Sequence, residues 1–149
     1  MVRVLIVAKT RMAGATCVGG LILDTNQSIR LLRPGRPFQP GDTSFEVGHI
    51  CDLEFQRSTD IVPPHTEDVL VTGARYIGQQ RDLRDFLLQR VQRWRGELEQ
   101  LFGGLLTFRN GKAYISREKG IPNGSTGFWI PDKPLVRSYL NNKVNYCYE

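Results

Sequence analysis

Cysteine, histidine and long apolar runs are all scarce in this sequence, and each scarcity excludes a class of protein. The three cysteines, Cys17, Cys51 and Cys147, are widely spaced and form no C-x-x-C pair, so we expect a reducing compartment and no disulfide framework. The two histidines, His49 and His65, are not at zinc-ligand spacing from any cysteine. We therefore expect no metal and no cofactor.

Membrane-spanning and nucleotide-binding patterns are missing as well. The apolar run at the N-terminus, Val4–Ala8, is far shorter than the roughly 20 residues of a membrane helix, and it is too short for a signal peptide. Gly14, Gly19 and Gly20 do not form a G-x-G-x-x-G motif, and Gly111-Lys112 lacks the rest of a P-loop. We expect a cytoplasmic protein with no membrane partner.

The positive charge of the chain is unevenly distributed. The 149 residues carry a net charge of +5, and 40% of them are hydrophobic, which is ordinary for a folded chain. Residues 1–36 carry +5, residues 37–74 carry −6 and residues 75–95 carry +4. Two interpretations stay open: the protein presents a basic face, or the acidic segment folds against the basic ones and neutralises them.

Short strands separated by Gly, Pro and Asn dominate the predicted secondary structure. Alternating or β-branched runs predict five strands before residue 80, and the Asn110-Gly111 hairpin signal is followed by further short strands. The predicted strands are Val2–Val7, Thr16–Leu23, Ser28–Leu32, Val47–Phe55, Asp68–Tyr76, Leu105–Phe108, Ala113–Ser116, Phe128–Ile130 and Leu135–Leu140, and Lys143–Glu149 ends the chain with two tyrosines.

One long helix is predicted between the two groups of strands. Asp82 is a candidate N-cap, and Gly103-Gly104 supplies a stop. The apolar positions between them recur at helical spacing and are expected to pack on the sheet: Leu83, Phe86, Leu87, Val91, Trp94, Leu98 and Leu101.

This order of elements predicts a mainly β fold, an OB-like β-barrel with one prominent α-helix. We expect a first OB-like barrel over residues 1–78 and a connecting helix packed on that barrel over residues 79–104. Residues 105–149 are expected to form a second, small or incomplete OB-like β unit.

The sequence resembles the dual OB-containing domain family, a bacterial group. The segments that carry the resemblance are Val4–Arg11, Gly14–Gly20, Ile29–Pro34, Val47–Leu53, Pro63–Val69 and Phe128–Ile130. It departs from the family pattern at Ser28, where a tryptophan is usual, and in a shorter C-terminal part. The resemblance implies two OB-like barrels and a nucleic-acid role in bacterial defence-type systems, without established catalytic residues.

Basic residues near the first barrel's loops are the candidate binding site. OB-type barrels bind single strands with a basic groove and exposed aromatic rings. The candidates are Lys9 and Arg11 in a glycine-containing loop, Arg30, Arg33 and Arg36 at a spacing of three, Phe38 just beyond, and Trp129. For the arginines, the competing interpretation is a solvated loop that pairs with acids of the middle segment, residues 37–74. For Trp129, it is a side chain that belongs to the core.

We predict a non-enzymatic module that binds nucleic acid, with single-stranded DNA or RNA favoured, and that works with a partner protein or effector domain. A protein-interaction or adaptor domain is the alternative. A third, less favoured hypothesis is an enzyme that uses Cys17, in its basic neighbourhood, or a carboxylate set that only the fold brings together. Asp52 and Glu54 lie two apart on one strand face, as paired carboxylates do, but a solvated outer face explains them more simply.

Overall fold

The computed structural model of the protein describes residues 1–59, 61–140 and 143–149. Twelve strands, one α-helix and one 3-10 segment follow each other along the described chain. In order they are β1 (Val2–Met12), β2 (Ala15–Ile22), β3 (Ser28–Leu32), β4 (Gln39–Pro40), β5 (His49–Arg57), β6 (Asp68–Gln79), α1 (Leu83–Arg90), β7 (Trp94–Gly96), the 3-10 segment (Leu98–Gly104), β8 (Leu106–Arg109), β9 (Lys112–Ile115), β10 (Trp129–Pro131), β11 (Val136–Leu140) and β12 (Lys143–Cys147).

The chain divides into two compact units. The first contains residues 1–91 together with 124–126, and the second contains residues 92–123 and 127–149. The predicted division into two OB-like barrels stays a prediction, whereas the helix between them is shorter than predicted.

The first unit is built on a closed five-stranded barrel. Its strands are hydrogen-bonded in the order β1-β5-β6-β3-β2, and the pairing of β2 with β1 closes the circle. All of these pairings are antiparallel except β3 with β6, which is parallel. This five-stranded arrangement is that of an OB-fold, so the predicted fold class is confirmed. The short β4 pairs with the beginning of β2.

Strand alternation fills the barrel. The inward residues of β2 alternate, with Val18 and Ile22 buried in the core and Gly20 between them. A Cβ at Gly20 would lie 2.6 Å from Val4 Cγ1 and 3.1 Å from Leu31 Cδ1. The β1 and β3 side chains therefore pack directly against the backbone of β2, and only glycine fits there. The core cluster consists of Val4, Ile6, Val18, Ile22, Ile29, Leu31, Phe45, Cys51, Leu53 and Val69.

The loop predicted around Lys9–Arg11 is wrong, because β1 continues through it to Met12. A register shift between Ile6 and Ala8 lets β1 stay paired with β2 as far as Met12↔Ala15. Ala13 and Gly14 make the turn, and Gly14 has a φ of +74°. Glycine adopts that backbone conformation without a steric cost. The two basic residues therefore stand on a strand at fixed register.

The long helix is also wrong beyond Arg90. The α-helix covers only Leu83–Arg90, and Val91 is already extended. Trp94, expected on the helical stripe, instead begins β7, which pairs in parallel with β10. Gly96 has a φ of +96°, which a helix does not allow. Tertiary pairing thus overrides a helical spacing that Gly96 already weakened.

The short α1 is held at its C-terminal end. Arg90 donates a hydrogen bond to the carbonyl oxygen of Leu23 at 3.0 Å, and its guanidinium lies 4.4 Å from the centre of the Phe86 ring. None of the α1 residues is fully buried, so the helix packs less tightly than the predicted stripe implied. Within the described residues, no helix is long and apolar enough to cross a membrane.

The second unit contains three two-stranded sheets among the residues that are described. They pair β7 with β10, β8 with β9, and β11 with β12. The β8–β9 hairpin turns at Asn110-Gly111, where both residues have positive φ, as the sequence predicted. A Cβ at Gly127 would overlap the Trp94 ring, so that glycine lets the ring pack against the backbone.

Candidate functional site

An open cleft of about 440 Å³ lies on the first unit, beside the turn between β1 and β2. It is lined by Ala13, Gly14 and Ala15 together with Arg33 and residues 36–41. We call this cleft the arginine cleft. The turn between the first two barrel strands is one of the places where OB-folds bind oligonucleotides and oligosaccharides.

A tight turn fixes the two arginines of the cleft. The backbone N–H of Arg36 donates to the carbonyl oxygen of Arg33 at 3.0 Å, and Pro34 and Gly35 stand between them, with Gly35 at a φ of +74°. Pro followed by a positive-φ Gly is the pattern of a type II turn. Arg33 and Arg36 are bridged as antiparallel partners. Opposed residues share a side, so the turn holds two like charges together, a destabilising arrangement on its own account.

Three predicted site arginines keep their charge available. Arg11, Arg33 and Arg36 are all exposed, and none of them forms an ion pair with any residue that the structure describes. Unpaired guanidinium groups are donors that fit carboxylate or phosphate oxygens. These three arginines are therefore able to contact an anionic ligand.

Arg11 lies in register with Gln39 of the cleft, across one intervening strand. Arg11 is paired with Thr16 on β2, and Thr16 with Gln39 on β4, so that all three share the inward side of the strands. Two strand spacings put Arg11 about 10 Å from Gln39. Gln39 is buried and donates from Nε2 to the carbonyl oxygen of Leu31 at 3.2 Å. The buried Thr16 Oγ1 has no hydrogen-bond partner among the described residues.

Arg30, in contrast, is engaged inside the fold. It lies opposite Asp68 in the parallel pairing of β3 with β6, and the two side chains form two hydrogen bonds, Nε–Oδ1 at 2.6 Å and Nη2–Oδ2 at 2.7 Å. Their side chains are only 15% and 12% exposed. The hydrogen bond with Asp68 raises the pKa of Arg30 above its ordinary value. Its guanidinium is thus committed to an acid of the middle segment.

Lys9 is committed in the same way. Its Nζ lies 2.6 Å from Glu46 Oε1 and 3.3 Å from the carbonyl oxygen of Thr43. The hydrogen bond from Lys9 lowers the pKa of Glu46. Acids of residues 37–74 therefore pair with two predicted site residues and form no ion pair with Arg11, Arg33 or Arg36 among the described residues. A binding role for these three arginines stays a prediction.

The two predicted aromatic residues lie in different units. Phe38 is half-buried and lines the arginine cleft. Trp129 belongs to the second unit, where its Nε1 donates to the carbonyl oxygen of Gly96 at 2.9 Å and its ring centre lies 5.4 Å from that of Tyr148. Of the two rings, only Phe38 lines the cleft.

The residues of the enzyme hypothesis differ in their surroundings. Asp52 is held by Arg75 at 2.8 Å and lies 3.8 Å from Arg3, whereas Glu54 is exposed. Cys17 is half-buried on β2, and burial raises the pKa of the Cys51 thiol. Among the described residues, His, Cys, Asp and Glu form no group of three that could hold a metal ion.

Sequence reasoning missed part of the cleft. Ala13, Ala15 and Gln39 were not among the predicted site residues, although each lines it. Ala13-Gly14 between two runs of strand-forming residues was a hairpin signal that would have identified one side. Gln39 had no such signal, because its burial depends on the pairing of β4 with β2.

The comparisons with known proteins agree with the barrel. The model of the family described as dual OB-containing domain matches residues 2–149. The comparisons with curated proteins and with solved structures gave no match. Because the family model covers almost the whole sequence, the chain belongs to the dual OB-containing domain family.

Proposed function

We propose that this protein is a non-enzymatic module that binds single-stranded nucleic acid at the arginine cleft of its barrel. The observation that carries the proposal is the pair Arg33 and Arg36, which are exposed, opposed across one turn and without an ion-pair partner among the described residues. Like charges on directly opposed residues are destabilising, and a phosphate that accepted hydrogen bonds from both arginines would offset that cost.

The position of the cleft on the barrel supports this ligand class. OB-folds bind oligonucleotides beside the loop that joins their first two strands, and the residues of that loop, Ala13 and Gly14, line the cleft. Arg11 stands on the same hairpin and extends the positive charge. Arg33, Arg36 and Arg11 would contact successive phosphates of the sugar–phosphate backbone of a single strand.

Phe38 favours a single strand over a duplex. It lines the cleft and is half-buried, so part of its ring is open to a ligand. An unpaired base offers its face for stacking on such a ring, whereas bases in a duplex are already stacked on each other.

This proposal includes two expectations from the sequence. One is a role in a bacterial defence-type system, which the family resemblance implies. The other is a cytoplasmic location.

Fluorescence anisotropy with labelled single-stranded DNA, single-stranded RNA and duplex, each titrated at several salt concentrations, tests the proposal. Single-strand affinity should fall with a log–log salt slope of about 0.7 per phosphate contact. The double variant Arg33→Gln/Arg36→Gln should bind more weakly and lose about 1.4 from the size of that slope. Phe38→Ala should weaken binding without changing the slope, because stacking releases no counterions.

A matched control removes the same charge elsewhere in the first unit. Arg81 and Arg84 are both exposed, so Arg81→Gln/Arg84→Gln lowers the net charge equally. Equal losses in the two double variants would refute a localised site, because they would indicate attraction by net charge alone. If the wild-type protein binds none of the three probes at low salt, the nucleic-acid proposal is wrong, and the adaptor alternative takes its place.

A further inference from the structure

The β11–β12 hairpin of the second unit has a face that carries exposed tyrosines. In its register, Arg137 lies opposite Tyr146 and Tyr139 lies opposite Val144. Because opposed residues and residues two apart share a side of the strands, these four side chains lie on one face. Tyr139 is 70% exposed and Tyr146 is 64% exposed. We call this surface the tyrosine face.

Both tyrosines are less engaged than the other aromatic residues of this region. Tyr148 donates a hydrogen bond to Asp132 at 2.8 Å, and its ring contacts Lys133 and Trp129. Within the described residues, the hydroxyl groups of Tyr139 and Tyr146 form no hydrogen bond. The guanidinium of Arg137 lies 5.2 Å from the centre of the Tyr139 ring, and no other ring or cation contacts either tyrosine ring among those residues. The ring faces are therefore open to a ligand.

The charge around the tyrosine face suits an anionic ligand. From Asp132 to Glu149 the sequence contains three cations, Lys133, Arg137 and Lys143, and two acids, Asp132 and Glu149, and the charged residue on the tyrosine face itself is Arg137. A partner with a basic surface would be repelled there, whereas a phosphate backbone would be attracted. Aromatic rings interleaved with cations are the composition of surfaces that bind single strands by base stacking.

We propose that the tyrosine face is a second nucleic-acid site, at which unpaired bases stack on Tyr139 and Tyr146 while Arg137 contacts the backbone. This inference rests on the proposed function, because it assumes that the chain binds single strands. It adds a surface in the second unit and a different mode of binding. At the tyrosine face base stacking makes the larger contribution, whereas at the arginine cleft phosphate contacts do.

The test compares variants of the intact chain, titrated with a labelled single-stranded 20-mer of uridylate. Tyr139→Ala/Tyr146→Ala should weaken binding by about 30-fold or more, since each lost base stack costs at least about fivefold. Tyr139→Phe/Tyr146→Phe keeps both ring faces and should retain most of the affinity. Tyr114→Ala is the control, because Tyr114 is an exposed tyrosine of another hairpin in the same unit.

Photocrosslinking gives a local readout. A probe that contains 5-iodouridine should crosslink to peptides with Tyr139 or Tyr146, and the Ala variant should lose those crosslinks. An unchanged affinity of the Ala variant together with crosslinks confined to other peptides would overturn this inference. The proposed function would still stand if Arg33→Gln/Arg36→Gln weakened binding in the same experiment, so the two failures are distinguishable.

Two further outcomes would count against the tyrosine face as a nucleic-acid site. Self-association of the wild-type chain in sedimentation, lost in Tyr139→Ala/Tyr146→Ala and unaffected by the probe, would make the face an interface between copies. Failure of the wild-type chain to bind the 20-mer at low salt would overturn both the proposed function and this inference.

Discussion

Replacing Arg30 should distinguish an arginine that stabilises the fold from the arginines that we propose to bind nucleic acid. Arg30 and Asp68 form two short hydrogen bonds with little exposure of either side chain. Removing one partner of a buried ion pair costs about 3–5 kcal/mol, because the other charge stays buried and unpaired. The partial exposure of this pair reduces the expected cost for Arg30→Gln to about 2–4 kcal/mol.

The neighbouring Glu67 supports a cost at the upper end of that range. Its side chain is buried and accepts hydrogen bonds from the backbone N–H and the hydroxyl of Ser125, and its Oε2 has no partner among the described residues. Loss of Arg30 would leave the carboxylate of Asp68 next to this second acid without a compensating cation. Arg33→Gln should change the stability by no more than about 0.5 kcal/mol, because Arg33 is exposed.

Urea denaturation measures the first half of this prediction. With a slope of about 2 kcal/mol/M, a loss of 2–4 kcal/mol lowers the midpoint by about 1–2 M. Arg30→Met/Asp68→Leu should recover most of the loss, because replacing both charges by apolar side chains removes the unpaired acid as well. This recovery distinguishes a broken ion pair from a general loss of packing.

Salt titration of single-strand binding measures the second half. Folded Arg30→Gln should keep the wild-type salt slope, whereas Arg33→Gln should lose about 0.7 from it. The reasoning is refuted if Arg30→Gln has the midpoint of Arg33→Gln and also loses slope, because Arg30 would then be a phosphate contact and not a structural ion pair.

Two further predictions concern the barrel wall and the second unit. Gly20→Ala should destabilise the protein by about 1–3 kcal/mol, because its Cβ would lie 2.6 Å from Val4 Cγ1. Gly78→Ala is the control, because a Cβ there would have no atom within 4 Å. Thermal or urea denaturation should show that this control is neutral or slightly stabilising. Partial burial, and then the hydrogen bond to Asp132, raise the pKa of Tyr148 to about 12. The stability contributed by the neutral phenol is therefore complete below pH 10 and is lost as the pH rises to about 12. Absorbance titration at about 295 nm should show one late-ionising tyrosine that Tyr148→Phe removes, and its persistence in that variant would contradict the assignment.

The barrel strands were predictable because their signal is local. Alternation along Val47–Phe55 already marked one face as buried, and Cys51 and Leu53 do lie in the core. The helix failed at Trp94 for the opposite reason. Its spacing is compatible with a helix, but the residue pairs with Trp129, 35 positions further along the chain, and such a partner leaves no mark in a local pattern. Within the predicted helix, only Gly96 pointed to the break.

The candidate site divides along the same line. Arg30, Arg33 and Arg36 look equivalent in the sequence, since they share a spacing of three and a basic neighbourhood. Their roles diverge because Arg30 lies within β3, where the parallel pairing with β6 puts Asp68 opposite it, while the other two flank a turn beyond the strand end. Strand register therefore determines that Arg30, and neither of the other two arginines, pairs with an acid of residues 37–74. The sequence shows the charges on both sides, but only the strand pairing of the closed barrel determines which arginine is bonded to an acid.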